Sequence, residues 1–345
     1  MDLSTTYLGL PLRSPLVVGA AQPLTEDLAN LPAMAEAGAG AIVLHSLFEE
    51  QIVQEVRDLH YHLEQGTHSY AEALTYTPEL QTYVVGPELY LEHVARAKRQ
   101  VSIPIIASLN GTTLGGWVRY AREIEAAGAD ALELNLYAVQ SNPDRSSAEI
   151  EAEYLRVIEG VRREISIPLA VKLSPYFTGL AHFAMACHRA GANGLVLFNR
   201  FYQPDIDIES LTVSPNLILS GPQDLRLPLH WMALLHGRFP GSLAATGGVQ
   251  HPTDAIKLIM AGADIVQSVG ALLRHGPGRL RDLEHGLRHW LMDHGYDSLD
   301  QLRGSMSQRR CPDPVSYERV NYLREIQTYT PHWHRWESFE PLGTE

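Results

Sequence analysis

Two stretches decide how this chain folds: Ala244-Ala245-Thr246-Gly247-Gly248 and Val266-Gln267-Ser268-Val269-Gly270-Ala271. Each is a short apolar strand that runs straight into glycine. A helix-like stretch from about His251 to Ala261 lies between them. Glycine after a strand lets the backbone approach a ligand with no Cβ in the way, and the N–H groups of such a turn form an anion-binding concavity. In a (β/α)8 barrel, the turns after the last two strands are where a phosphate sits. The pair therefore predicts a phosphate-bearing ligand at the C-terminal face of a barrel.

The rest of the chain supplies the other strands. Apolar runs at Leu16–Gly19, Ala41–Leu44, Ile103–Ser108, Ala131–Leu136, Leu169–Leu173 and Gly194–Phe198 join Leu243–Thr246 and Ile265–Val269 to make eight. Continuous runs of this length are what parallel strands buried on both faces require. Helical patterns fall between them at Glu26–Ala37, Gly116–Ala127, Ala148–Arg163, Leu180–Ala190, Leu227–Arg238 and His251–Ala261, and a last one, Arg279–His294, follows strand eight. Four helices end in one phrase: Ala37-Gly38-Ala39, Ala127-Gly128-Ala129, Ala190-Gly191-Ala192 and Ala261-Gly262-Ala263. The glycine reads as the left-handed residue that closes a helix, with the next strand two or three residues on. The fold class is thus α/β, a (β/α)8 barrel over residues 1–295. Residues 49–98 read as a long insertion after strand two, acting as a lid or a dimer contact. Residues 296–345 read as a C-terminal extension packed on the barrel or on a partner.

Composition sets further limits. The chain has 345 residues and 45% hydrophobic content, and its formal net charge of −13 comes from 40 acidic against 27 basic residues. A core of this size needs no disulfide or metal staple. An acidic chain does not suggest a nucleic-acid surface. The two cysteines, Cys187 and Cys311, fit a reducing compartment. No apolar run approaches the ~20 residues of a membrane span, and the N-terminus lacks the pattern of a secretory signal, so a cytoplasmic protein is expected. The 16 histidines include His60-Tyr61-His62 and His332-Trp333-His334. Neither group has the spacing of a metal site, and no metal is expected.

Catalytic groups of a barrel sit where strands end. Strand four ends in Glu133-Leu134-Asn135-Leu136, strand five in Val171-Lys172-Leu173-Ser174-Pro175, strand six in Phe198-Asn199-Arg200, and strand two in His45-Ser46. Lys172 and Asn135 are polar residues inside apolar strands. A lysine there is costly unless it is paired or meets a ligand. It either bridges to a carboxylate such as Glu133 or faces an anionic ligand or an electron-rich ring.

Taken together, Glu133-Leu134-Asn135-Leu136, Val171-Lys172-Leu173-Ser174-Pro175, Asn199, Thr246-Gly247-Gly248 and the Gly270 turn stand in an order that resembles the dihydroorotate dehydrogenase family, in its soluble class. The resemblance runs from Leu3 to about Gly295. It implies a (β/α)8 barrel that binds FMN, with Gly247, Gly248, Gly270 and Ala271 on the phosphate and Ser220-Gly221 also touching the cofactor. Ala20 and Ala21 would lie against the flavin with Ser46 beside it, and Lys172 would reach the flavin's N1/O2 edge. Asn135 and Asn199 would hold a dihydropyrimidine ring while a hydride passes between the ring and the flavin. The soluble members imply a homodimer, with an electron-transfer partner as a further expectation.

The departures from the family pattern matter equally. The family's strand-four motif continues Asn-x-Ser-Cys-Pro-Asn with the cysteine as base, whereas this chain reads Asn135-Leu136-Tyr137-Ala138-Val139-Gln140, so Ala138 stands at the base position. The family's lysine after strand two is His45. The candidate replacements for the base are Tyr137 and His45. Histidine has the better ordinary pKa, about 6.5 against about 10 for tyrosine. The lost base keeps other readings open: an ene-type reductase with another substrate, a flavin-holding electron-relay subunit, or an aldolase-like barrel in which Lys172 forms a Schiff base.

Overall fold

A computed structural model of the chain describes residues 1–53 and 87–328. An N-terminal hairpin, β1 (Thr5–Tyr7) with β2 (Leu10–Leu12), precedes the barrel. The barrel strands are β3 (Leu16–Val18), β4 (Ala41–Phe48), β5 (Ile105–Asn110), β6 (Ala131–Asn135), β7 (Leu169–Leu173) and β8 (Gly194–Leu197), followed by β11 (Ser242–Thr246) and β12 (Ile265–Ser268). Between β8 and β11 lies a small antiparallel pair, β9 (Asp205–Asp207) and β10 (Thr212–Ser214). The eight barrel strands close in the order β11-β12-β3-β4-β5-β6-β7-β8, and every barrel pairing is parallel. All eight strands expected from the sequence are present. The four helix-closing glycines, Gly38, Gly128, Gly191 and Gly262, all have positive φ.

The inside of the barrel is layered by the two-residue period of a strand. Its lower layer is apolar, formed by Val17, Ala41, Val43, Ile106, Ala131, Ala170, Val196, Ala244 and Ile265, with Tyr7, Leu8 and Leu12 of the hairpin plugging the bottom. Two residues further along β6, β7 and β12, the same face carries Glu133, Lys172 and Gln267, all buried. Polar groups thus begin one layer above the apolar floor, facing the C-terminal mouth. A separate, larger apolar cluster fills the space between strands and helices.

Strand two of the barrel is longer than its apolar core suggests. It continues through His45 and Ser46 to Phe48, with a register shift between Val43 and Ser46. Such a bulge re-aims side chains at a barrel rim.

The stretch 49–98 is not one insertion. Its last part begins the helix Pro87–Gln100, which buries Tyr90, Val94 and Ala97 and packs on β4 and β5 as an ordinary barrel helix. The intervening part lies outside the described residues, as do His60, His62, His332 and His334.

The chain beyond the barrel returns to its N-terminal end. Leu299 and Leu302 are fully buried. The backbone N–H groups of Gly304, Met306 and Gln308 donate to the carbonyls of Ile259, Met260 and Ala233. Arg303 reaches Asp264 and the Thr5 hydroxyl, each at 3.1 Å. Leu302→Ala should therefore lower the stability of the whole barrel by about 2–5 kcal/mol, seen in urea as one transition at a lower midpoint. A separate early transition with the main one unmoved would show that this segment does not share the barrel's cooperativity.

Candidate active site

A cavity of about 590 Å³ opens at the C-terminal ends of the strands. Twelve of the residues singled out from the sequence line it: Ala20, Ala21, His45, Ser46, Asn135, Tyr137, Lys172, Asn199, Ser220, Gly247, Gly248 and Gly270. Gly221 and Ala271 do not, although each follows a lining residue. The Gly221 N–H is turned to the Asp224 carboxylate at 2.8 Å, and Ala271 is fully buried.

One end of the cavity is a backbone cradle. Gly247 and Gly248 follow β11 with φ of +101° and +77°. A Cβ on Gly248 would lie 2.4 Å from the Leu225 nitrogen, so no side chain fits. Gly270 faces Ser220, whose hydroxyl would be 3.2 Å from an added Cβ. The carbonyl of Ser220 accepts from Gln250 Nε2 at 3.1 Å and Arg274 Nη1 at 2.9 Å, and Arg274 Nη2 donates to the Leu219 carbonyl at 3.0 Å. The turns after β11 and β12 and the loop at Ser220 are thereby strapped together. Such a surface of close-set, Cβ-free backbone fits a phosphate.

The floor is a buried polar network. Lys172 Nζ stands 3.4 Å from Glu133 Oε1, with Glu133 only 1% exposed. Gln267 Nε2 donates to the other carboxylate oxygen at 2.7 Å. Glu133 Oε1 and the Gln267 carbonyl oxygen have no hydrogen-bond partner, so the lysine contact is electrostatic rather than a formed hydrogen bond. Lys172 and Gln267 both line the cavity, and an ammonium and an amide in one wall suit the edge of a heteroaromatic ring that alternates carbonyl and N–H groups. Both sequence readings of Lys172 therefore hold in part: it is paired with Glu133 and it faces the cavity. Asn199 Nδ2 donates to Asn135 Oδ1 at 2.8 Å, joining the ends of β6 and β8.

The two candidate bases differ sharply. His45 is nearly buried; its backbone N–H donates to the Thr25 hydroxyl at 2.8 Å and its Nδ1 lies 3.2 Å from the same oxygen. Burial, aided by the neighbouring His93, pushes its pKa down to about 4. His45 is thus neutral near pH 7 and a weaker base than free histidine. Tyr137 lines the cavity, with its hydroxyl accepting from the Tyr202 N–H at 3.3 Å. Its neighbour Ala138 is packed against the apolar core and is absent from the cavity lining. The loop after β6 therefore turns Tyr137 to the cavity and Ala138 to the core. Both cysteines are buried, and burial pushes the Cys187 thiol up.

Several lining residues escaped the sequence reading: Gln267, Asn110, Tyr176, Phe201 and Tyr202. Gln267 carries the signal that exposed Lys172, a polar residue within an apolar strand. The aromatic groups sit in loops, and only the fold brings them together. Phe201 lies 5.9 Å from Tyr137 and 5.2 Å from Tyr176 between ring centroids. Among the described residues, no group of three or more His, Cys, Asp or Glu residues could hold a metal, and no helix is long and apolar enough to cross a membrane.

These features define a (β/α)8 barrel with a Cβ-free backbone cradle and a buried lysine at the C-terminal ends of its strands. The family model for dihydroorotate dehydrogenase matches residues 84–291, and the chain belongs to that family of oxidoreductases. The catalytic subunit of dihydroorotate dehydrogenase B (NAD(+)) from Thermoplasma volcanium is 27% identical over 89% of this chain and 99% of its own length. Its counterpart from Petrotoga mobilis is 30% identical over 64% of this chain and 74% of its own. The NAD-dependent dihydropyrimidine dehydrogenase subunit PreA of Escherichia coli is 25% identical over 63% of this chain and 58% of its own.

The His45 environment predicts a pH effect. Its folded pKa, about 4, lies below the ordinary 6.5. The stability it contributes is therefore complete above pH 6.5 and is lost as the pH falls towards 4, by roughly 3 kcal/mol. Urea midpoints at pH 7 and pH 4.5 should differ less in His45→Gln than in the native chain. Equal differences would contradict the assignment.

Proposed function

We propose that this chain is an FMN-dependent oxidoreductase that interconverts a dihydropyrimidine and its pyrimidine. The observation that carries the reading is the cavity itself, where a Cβ-free cradle, a buried lysine and the Gln267 amide share one space of about 590 Å³. Gly247, Gly248 and Gly270, with Ser220, would hold the phosphate of FMN. Ala20, Ala21 and Ser46 would lie against its ring, with Lys172 and Gln267 at the ring's polar edge. FMN, when bound, supplies hydride exchange with a substrate carbon, and the protein supplies orientation and electrostatics. Asn135 and Asn199 would present their amides to the substrate ring. The names of the relatives support this substrate class, since they cover both dihydroorotate and dihydropyrimidine dehydrogenases. Those names include catalytic and other subunits, which supports an assembly in which a second chain passes electrons onward.

Tyr137 is the group we assign to proton exchange at the neighbouring carbon. It faces the cavity, whereas His45 is held neutral and tied to Thr25.

Anaerobic mixing with dihydroorotate or dihydrouracil, followed at ~450 nm where oxidised flavin absorbs, tests this directly. One of the two should bleach the flavin, and Tyr137→Phe should slow that step roughly 100-fold without altering flavin content. A yellow protein that stays yellow with both would sink the dihydropyrimidine reading.

A further inference from the structure

Three basic side chains line the cavity: Lys172, His45 and Arg200. Lys172 is answered by Glu133 at 3.4 Å, and burial keeps His45 neutral. Arg200 follows Asn199 on the loop leaving β8 and is half-buried. Among the described residues, no carboxylate, carbonyl or ring engages its guanidinium. Acidic residues outnumber basic ones by 40 to 27, so the lack of a partner does not reflect a shortage of carboxylates. A guanidinium on a cavity wall with no protein partner leaves its five donors free for a ligand. Its planar fork of donors matches a carboxylate two bonds at a time.

The surroundings indicate which anion. Asn199, on one side, is joined to Asn135 at 2.8 Å. Phe201, on the other, contacts the rings of Tyr137 and Tyr176, and the Tyr202 N–H donates to the Tyr137 hydroxyl. The loop 199–202 is thus tied to the loops after β6 and β7, among amides and aromatic faces suited to a flat polar ring. The cradle at Gly247 and Gly248 offers backbone instead and lies on other loops.

We propose that Arg200 is the anion-recognition residue of the substrate site, and that it selects flat rings bearing a carboxylate over neutral rings. The identity of the ring rests on the dihydropyrimidine reading; the selection for a carboxylate does not.

Calorimetric titration of the purified protein, with its bound cofactor, tests this with orotate and with uracil, the same ring without the carboxylate. The native chain should bind orotate at least about tenfold more tightly than uracil, the scale of a charge-assisted pair. Arg200→Gln should erase that preference, weakening orotate while leaving uracil and flavin content unchanged. Arg200→Lys should restore only part of it. The proposal is overturned if Arg200→Gln binds orotate as the native chain does, or weakens both rings equally. It is also overturned if the variant sheds its flavin, which would put the guanidinium on the cofactor's phosphate. If the native chain binds neither ring, the dihydropyrimidine reading fails, and benzoate against benzamide then tests Arg200. A benzoate preference that Arg200→Gln abolishes upholds the proposal, and no preference overturns it.

Discussion

A carboxylate buried in the middle of the barrel governs this structure. Glu133 is 1% exposed, and a charge so far from water costs several kcal/mol unless other groups answer it. Gln267 answers one oxygen with a hydrogen bond, and Lys172 answers the other electrostatically. Because β6, β7 and β12 each contribute one member, the network depends on the closure of the barrel and on its register. The apolar layer and hairpin plug beneath it close off the lower side. The same burial that makes the site expensive gives its lysine and its amide a fixed place from which to hold a ligand.

Charge is distributed unevenly in that cavity. A histidine kept neutral, a lysine matched by its glutamate and an arginine without a partner among the described residues stand within one space. The turns after β11 and β12 present bare backbone rather than a side-chain cation. Arg200 stands instead on the loop after β8, among the amides and aromatic rings.

Much of the architecture could be read from the chain. Continuous apolar runs marked the eight strands, since a strand buried on both faces leaves a local mark that needs no tertiary information. Lys172 and Asn135 stood out because polar residues in such runs are costly, and the same reasoning applied to Gln267 would have completed the floor. Other features were not local. The helix Pro87–Gln100 was hidden in a stretch rich in Tyr, His and Glu, and only its packing on β4 and β5 distinguishes it. The bulge that carries β4 on to Phe48 follows from pairing with β5. That Tyr137 faces the cavity while Ala138 faces the core depends on the path of a loop, which residue types alone do not determine. The low pKa of His45 likewise arises from neighbours distant in sequence.

The central claim is that the cradle and the buried network together form one FMN site, and the most direct measurement is the cofactor content of the purified chain. The protein would be denatured by heat and the released chromophore identified by mass and counted against protein. The account predicts FMN at about one per chain, the occupancy of a single preformed cavity. A colourless protein that takes up no FMN when the cofactor is supplied in excess would contradict it.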